Sequence, residues 1–105
     1  MNLAEGRSIK LIPIKKKDFE LIKDNYQSVS SCDGVLVTNI TKNDIQDYIG
    51  ANSLIEMAFA HIQDKPIYLL NDVPLMDYTD EIKSMKPICL SGKVEDIKSY
   101  MKMPT

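Results

Sequence analysis

The chain has 105 residues, 44% of them hydrophobic and 27% charged, with a formal net charge of −2. That suffices for a single globular domain over residues 1–105 built on one core. The weak negative charge gives no electrostatic reason to expect nucleic-acid or membrane-surface binding, and no apolar run reaches the length of a bilayer span. Cys32, Cys89 and the lone His61 lack metal-ligand spacing, so neither a metal site nor a bound cofactor is expected. The cysteines sit in or beside apolar strands and read as reduced core residues of a cytoplasmic protein. The N-terminus lacks the charged-then-apolar layout of a signal peptide.

In chain order, "MNLAEGRSIKLIPI" alternates poorly and reads as a ragged extended segment. The basic run Lys15-Lys16-Lys17 meets Asp18 at once and reads as a solvated helix start. From Asp18 the period turns helical, with Phe19, Ile22, Tyr26 and Val29 on one stripe. "SSCDG" ends that helix, and Gly34 suits the turn. Val35 to Ile40 reads as a continuous β-branched run, typical of a strand buried on both faces.

A polar loop, "TKNDIQDYIGAN", leads to a helix predicted from about Ser53 to Gln63 and closed by "DKP". Ile67 to Asn71 is a second buried strand. After the loop "DVPLMDY", Thr79 is the expected cap of a short helix over "DEIKSM". "PICLS" supplies a third strand, and a terminal amphipathic helix carrying Val94, Ile97 and Met101 follows Gly92. Helix and strand alternate, and the strands are short and apolar. The expectation is an α/β fold with a parallel sheet and helices on both faces. Ligands of such sheets bind beyond the carboxyl ends of the strands. Asn39 and Asn71 stand at two of those ends, and Glu56 lies near the start of the helix after the first.

Glu56 interrupts an otherwise apolar helix, and two readings stay open. In the first, Ser53-Leu54-Ile55-Glu56 is a capping box, and the carboxylate serves the helix end. In the second, the helix dipole keeps the carboxylate ionised while Leu54, Ile55, Met57 and Phe59 limit its hydration. Such a group is suited to nucleophilic attack on an anomeric carbon and unsuited to act as a general acid. His61, five residues on, does not share its face and fits a position near the helix end. Asp77 and Tyr78, in the loop after the second strand, are further candidates for ligand contact. Met57, Met76 and Met85 read as core or interface fillers.

"CDGVLVTN", "YIGANSLIEMAFAHIQDKPIYLLN" and "DEIKSMKPICLSG" together resemble the nucleoside 2-deoxyribosyltransferase superfamily, in particular small prokaryotic members with a YIG-x-N-[ST]-x-x-E signature. The resemblance runs from about Asp33 to Ile97. It implies a three-layer flavodoxin-like or Rossmann-like fold and a nucleoside or nucleotide as the small-molecule partner. It implies Glu56 as the nucleophile toward C1′ of 2-deoxyribose. Asn39, Tyr48, Gly50, Asn52, Ser53 and Asn71 are then the substrate-binding residues.

Two departures qualify the implied chemistry. Asn39 and Gly50 stand where the family's transferases carry acids, which favours hydrolysis over base exchange. The family's opening strand and Gly/Ser loop are not legible before Asp18, so the chain reads as N-terminally truncated. A chain this short with apolar helices is expected to form a homo-oligomer, a dimer or larger. The alternative functions are a non-catalytic nucleotide- or nucleoside-binding module and a truncated inactive member.

Overall fold

The computed structural model describes residues 7–12 and 22–101. The predicted helix start at Asp18, with Phe19 and the run Lys15-Lys16-Lys17, lies outside the described residues, as does the side chain of Met101.

Among the described residues, four strands form one all-parallel sheet in the order β1-β2-β3-β4: β1 Ile9–Ile12, β2 Gly34–Val37, β3 Ile67–Leu69 and β4 Ile88–Cys89. Helices α1 Ile22–Ser30, α2 Ala51–Ile62 and α3 Thr79–Ser84 fill the three crossovers. A 3₁₀ turn at Val94–Asp96 leads into α4 Ile97–Met101. The parallel α/β sheet with helices on both faces is as the alternating pattern predicts.

Each strand lies beside its predecessor, so crossovers of one hand place α1, α2 and α3 on the same face. The packing agrees. Val35, Val37, Ile67 and Leu69 join Val29 of α1, Met57 and Ala60 of α2, and Ile82 of α3 in one core. Their in-between neighbours Leu36 and Tyr68 point the other way and pack with Ile9, Leu90 and Ile97 of α4. This period of two on strands apolar at every position is the mark of a sheet covered on both sides.

The opening segment, expected to be ragged and to lack a strand, is a regular one. β1 pairs with β2 from Ile9↔Gly34 to Ile12↔Val37. Its alternation was hard to see because Lys10 takes an inward position beside Ile12. Gly34, expected in a turn, opens β2 instead. A Cβ there would stand 3.0 Å from Pro66 Cγ and 3.1 Å from Ile9 Cδ1, so the strand start admits only glycine without a shift.

Two helices also differ from the sequence reading. On α1 the buried residues are Asn25 and Val29, whereas Ile22 and Tyr26 of the predicted stripe are exposed. The helix is rotated so that Tyr26 packs edge-on against Phe59 of α2, centroids 5.3 Å apart, across the outer side of the seam. Thr79 does not cap α3. It is the first helical residue, and its hydroxyl lies 2.7 Å from the Pro74 carbonyl oxygen and accepts from the Met76 N–H, closing the preceding turn. Cys32 and Cys89 are free thiols and half-buried rather than core.

Candidate active site

The start of α2 decides between the two readings of Glu56. The helix begins at Ala51, with Gly50 as its N-cap in extended conformation and no side-chain capping bond. Leu54 N–H closes the first turn onto Gly50 O at 3.0 Å. Ser53 is therefore the third helical residue and Glu56 the sixth, a full turn too far along for a capping box. The capping reading is overturned: the orphan N–H groups that such a box would satisfy lie in the first turn.

Glu56 instead points inward. With Ser53, Met57 and Ala60 it forms the buried face of α2, and it is only 2% exposed. Its Oε2 lies 2.9 Å from Nζ of Lys10, itself 13% exposed. Oε2 receives no hydrogen bond of good angle among the described residues, so the pairing is electrostatic rather than a directed bond. A carboxylate brought this far from water is tolerated only with a cation beside it. Sequence reasoning missed Lys10. Its one signal is a lysine between Ile9 and Leu11 in an otherwise apolar stretch.

The carboxyl ends of β2 and β3 carry the two predicted asparagines, and the structure brings them together. Asn39 is fully buried. Its Nδ2 donates to Asp72 O at 2.8 Å and to Asp47 O at 3.3 Å, while its Oδ1 accepts from Asn71 N–H at 3.0 Å. Asn71 Nδ2 returns a bond to Asn39 O at 2.9 Å. Both strands end earlier than predicted for this reason. Past Leu70, whose N–H still bonds to Val37 O, the pairing passes from backbone to side chains. The amide of Asn39 is thus occupied in joining β2 to the loops that follow β2 and β3.

Those loops frame two adjoining recesses. One, about 400 Å³, is lined by Asp44, Ile45, Gln46, Asp47, Asp72, Val73, Pro74 and Leu75. The other, about 230 Å³, is lined by Gln46, Asp47, Asn71, Asp72 and Ser91. Asn43, Asp44 and Asp47 take left-handed backbone conformations, which Asn and Asp tolerate best, and these let the loop fold on itself. The lining is acidic and offers hydrogen-bond acceptors rather than anion-binding groups. Asn71 reaches the smaller recess, whereas Glu56 lines neither. The single crevice expected for Asn39, Asn71 and Glu56 is therefore divided into a loop-framed mouth and a buried carboxylate on the sheet face.

The remaining predicted residues surround the start of α2. Tyr48 is half-buried, with the Lys42 ammonium 5.9 Å from its ring centre. Asn52 is exposed and Ser53 is buried on the inner face. Tyr78 donates its hydroxyl proton to Ile49 O, pinning the α2 entry to the loop before α3. Burial pushes the Tyr78 phenol up, helped by Tyr48 and Asp77 nearby. Burial likewise raises the Cys89 thiol, and the Asp72 carboxylate adds to it. His61 is exposed in the last turn of α2. Among the described residues no group of three or more His, Cys, Asp or Glu is placed to hold a metal ion. None of the described helices is long and apolar enough to cross a membrane.

Compared with known proteins, the chain matches no family model, no curated protein and no solved structure.

Proposed function

We propose that the protein cleaves or transfers the N-glycosidic bond of 2′-deoxynucleosides or their monophosphates, with Glu56 as nucleophile. The observation that carries this reading is the position of Glu56: a carboxylate on the buried face of α2, freed of any capping task and held against Lys10. An apolar side chain would serve stability there as well or better. A buried charge kept at such a place points to chemistry. The likeness of the "YIGANSLIE" stretch to nucleoside 2-deoxyribosyltransferases supports the same assignment.

In this reaction a Glu56 oxygen bonds to C1′, and the C1′–N bond breaks with its electron pair leaving on the base. The base takes a proton from solvent, since Asn39 has none to give as an acid. Water then attacks C1′, loses its proton to solvent, and returns Glu56 as a carboxylate. Hydrolysis is the favoured outcome. The acceptor-rich recess beyond β2 and β3 suits hydroxyls and exocyclic amines, and favours a nucleoside over its monophosphate; Glu56 lies outside it, so the attack requires the loop-framed mouth and the sheet face to open to each other. This reading carries with it a cytoplasmic location, in keeping with the free thiols Cys32 and Cys89, and a homo-oligomeric assembly.

A second reading, a binding module without catalysis, draws on two observations: Glu56 is 2% exposed, and the Asn39 amide is already spent on backbone partners. Chromatographic detection of free base after incubation with each deoxynucleoside and deoxynucleotide separates the two. The enzymatic reading expects base release by the native protein and none by Glu56→Gln. Binding without release by the native protein selects the module.

A further inference from the structure

We infer that the loop 40–48 is a lid over the larger recess: it moves as one body, the Tyr78 hydroxyl latches it shut, and its release joins the recess to the face of α2 that carries Glu56. What that opening admits rests on the N-glycosidic reading above.

The loop is held together by its own bonds. Tyr48 N–H closes onto Ile40 O at 3.1 Å, so the two ends meet. Between them, Lys42 and Ile45 exchange backbone bonds at 3.1 and 2.9 Å, and Asp47 N–H reaches Thr41 Oγ1 at 3.4 Å. The Lys42 ammonium lies over the Tyr48 ring. A compact surface loop with closed ends is an Ω-loop, a form that often carries function. The left-handed residues Asn43, Asp44 and Asp47 set its shape locally.

Its grip on the rest of the protein is slight. No residue from 40 to 48 is buried, whereas Asn39 before them and Ile49 after them are 0% exposed. Segments that bury so little open far more readily than the whole molecule unfolds. Among the described residues two side chains from outside the loop hold it. Asn39 Nδ2 donates to Asp47 O at 3.3 Å, at the hinge itself, and the Tyr78 hydroxyl donates to Ile49 O. Tyr78 is well anchored for this task, as the N-cap of α3 with its ring packed on the core. Asp44 and Asp47 of the loop line the recess together with Asp72 of the opposite wall, and their like charges favour parting.

The loop also stands between the recess and the nucleophile. Residues 44–47 wall the recess. The chain then runs through Ile49 and Gly50 into the first turn of α2, whose inner side carries Ser53 and, a turn later, Glu56. A swing about Asn39 and Gly50 withdraws that wall. Gly50 leaves room for it, since even a Cβ there would meet only Tyr48 Cε2 of the loop, at 3.6 Å.

The test is amide hydrogen exchange, read by NMR without substrate, in the native protein and in Tyr78→Phe. The amides of Lys42, Ile45 and Tyr48 are expected to share one protection, far below that of Leu70 and Leu90 in the sheet, and to respond little to added urea. Tyr78→Phe keeps the ring and removes the donor. It is expected to lower the three amides together by about three- to tenfold relative to Leu70. Because the readout is a ratio to Leu70, a general loss of stability does not imitate the effect. Base release at low deoxynucleoside concentration is expected to rise by a similar factor in the same variant, as more of the protein stands open. Three amides that exchange independently, or as slowly as Leu70, overturn the lid, as does a ratio unmoved in Tyr78→Phe. A loosened loop with base release no faster than native overturns its place on the path to Glu56 and leaves the reading intact. A native protein that releases no base from any deoxynucleoside removes the reading, and the lid is then decided by exchange alone.

Discussion

Asn39 is the residue on which the ends of β2 and β3 depend. Three bonds leave its side chain and one returns to its backbone. Asn39→Asp keeps the size and the acceptor for Asn71 N–H but sets a carboxylate against the carbonyls of Asp47 and Asp72. It is expected to cost about 1–3 kcal/mol, read by urea unfolding. A neutral result means that the amide is not needed where the structure places it. Gly50 gives the opposite test. Its φ is −76°, open to any residue, and a Cβ would meet only Tyr48 Cε2, at 3.6 Å. Gly50→Ser adds the missing cap and is expected to raise stability by a few tenths of a kcal/mol. If Gly50 contacts substrate, the same variant loses base release while its melting temperature holds or rises. At this scale Glu56 was legible in the sequence as a carboxylate out of keeping with its neighbours. Its partner was not, because Lys10 lies far away in the chain and only the strand register brings it near.

Among the elements, α2 shows how a helix end is built from residues that look unsuited to it. Asp64 N–H bonds to His61 O at 3.1 Å and Lys65 N–H to Ala60 O at 2.9 Å, with Asp64 at φ 57°. That is the pairing of a Schellman ending, which glycine occupies at lower strain. Asp64→Gly is expected to stabilise by about 1 kcal/mol, measured by thermal or urea unfolding; a loss of stability would contradict the assigned geometry. Gly34→Ala, which drives a methyl toward Pro66 and Ile9, is expected to destabilise by about 1–3 kcal/mol. β2, β3, β4 and the α2 ending were readable, since short apolar runs and "DKP" carry local signals, whereas β1 was not, with Lys10 breaking its pattern. The start of α2 was misread because Ser53 and Glu56 match a motif by spacing while the chain enters the helix at Gly50. The orientation of α1 was misread because periodicity marks an apolar stripe but not which side packs, and here Asn25 takes the inner position.

At the scale of the whole molecule, two cores share one sheet, and ionisable groups sit against both. Tyr68, in the α4 core, is pushed up by burial against the opposing pull of Arg7. Tyr78 and Cys89 are also raised. In the unfolded chain the thiol titrates near 9.0 and the phenols near 10.0. With folded values above these, the stability they contribute is fully present below pH 9.0 and is lost as pH rises through the folded values. The melting temperature is expected to hold level up to about pH 9 and then to fall. Cys89→Ala is expected to delay the onset, and a melting temperature that stays level to pH ~11 would contradict this account. The same three-layer body leaves Ile22, Tyr26 and Ile62 exposed on the α1–α2 side. Sedimentation at micromolar concentration is expected to show a dimer or larger, weakened by Tyr26→Asp; a stable monomer would remove the proposed assembly.

The central claim is that Glu56 reacts. It is tested most directly by incubating the native protein and Glu56→Gln with a 2′-deoxy-2′-fluoro nucleoside and measuring the intact mass, with a thermal melt alongside. The account predicts that the native chain gains the mass of one fluorodeoxyribosyl group, mapped to the peptide containing Glu56. It predicts that Glu56→Gln remains folded and unmodified. A native chain without the adduct, together with no base released from any deoxynucleoside or deoxynucleotide, would contradict it and leave Glu56 as the buried partner of Lys10 alone.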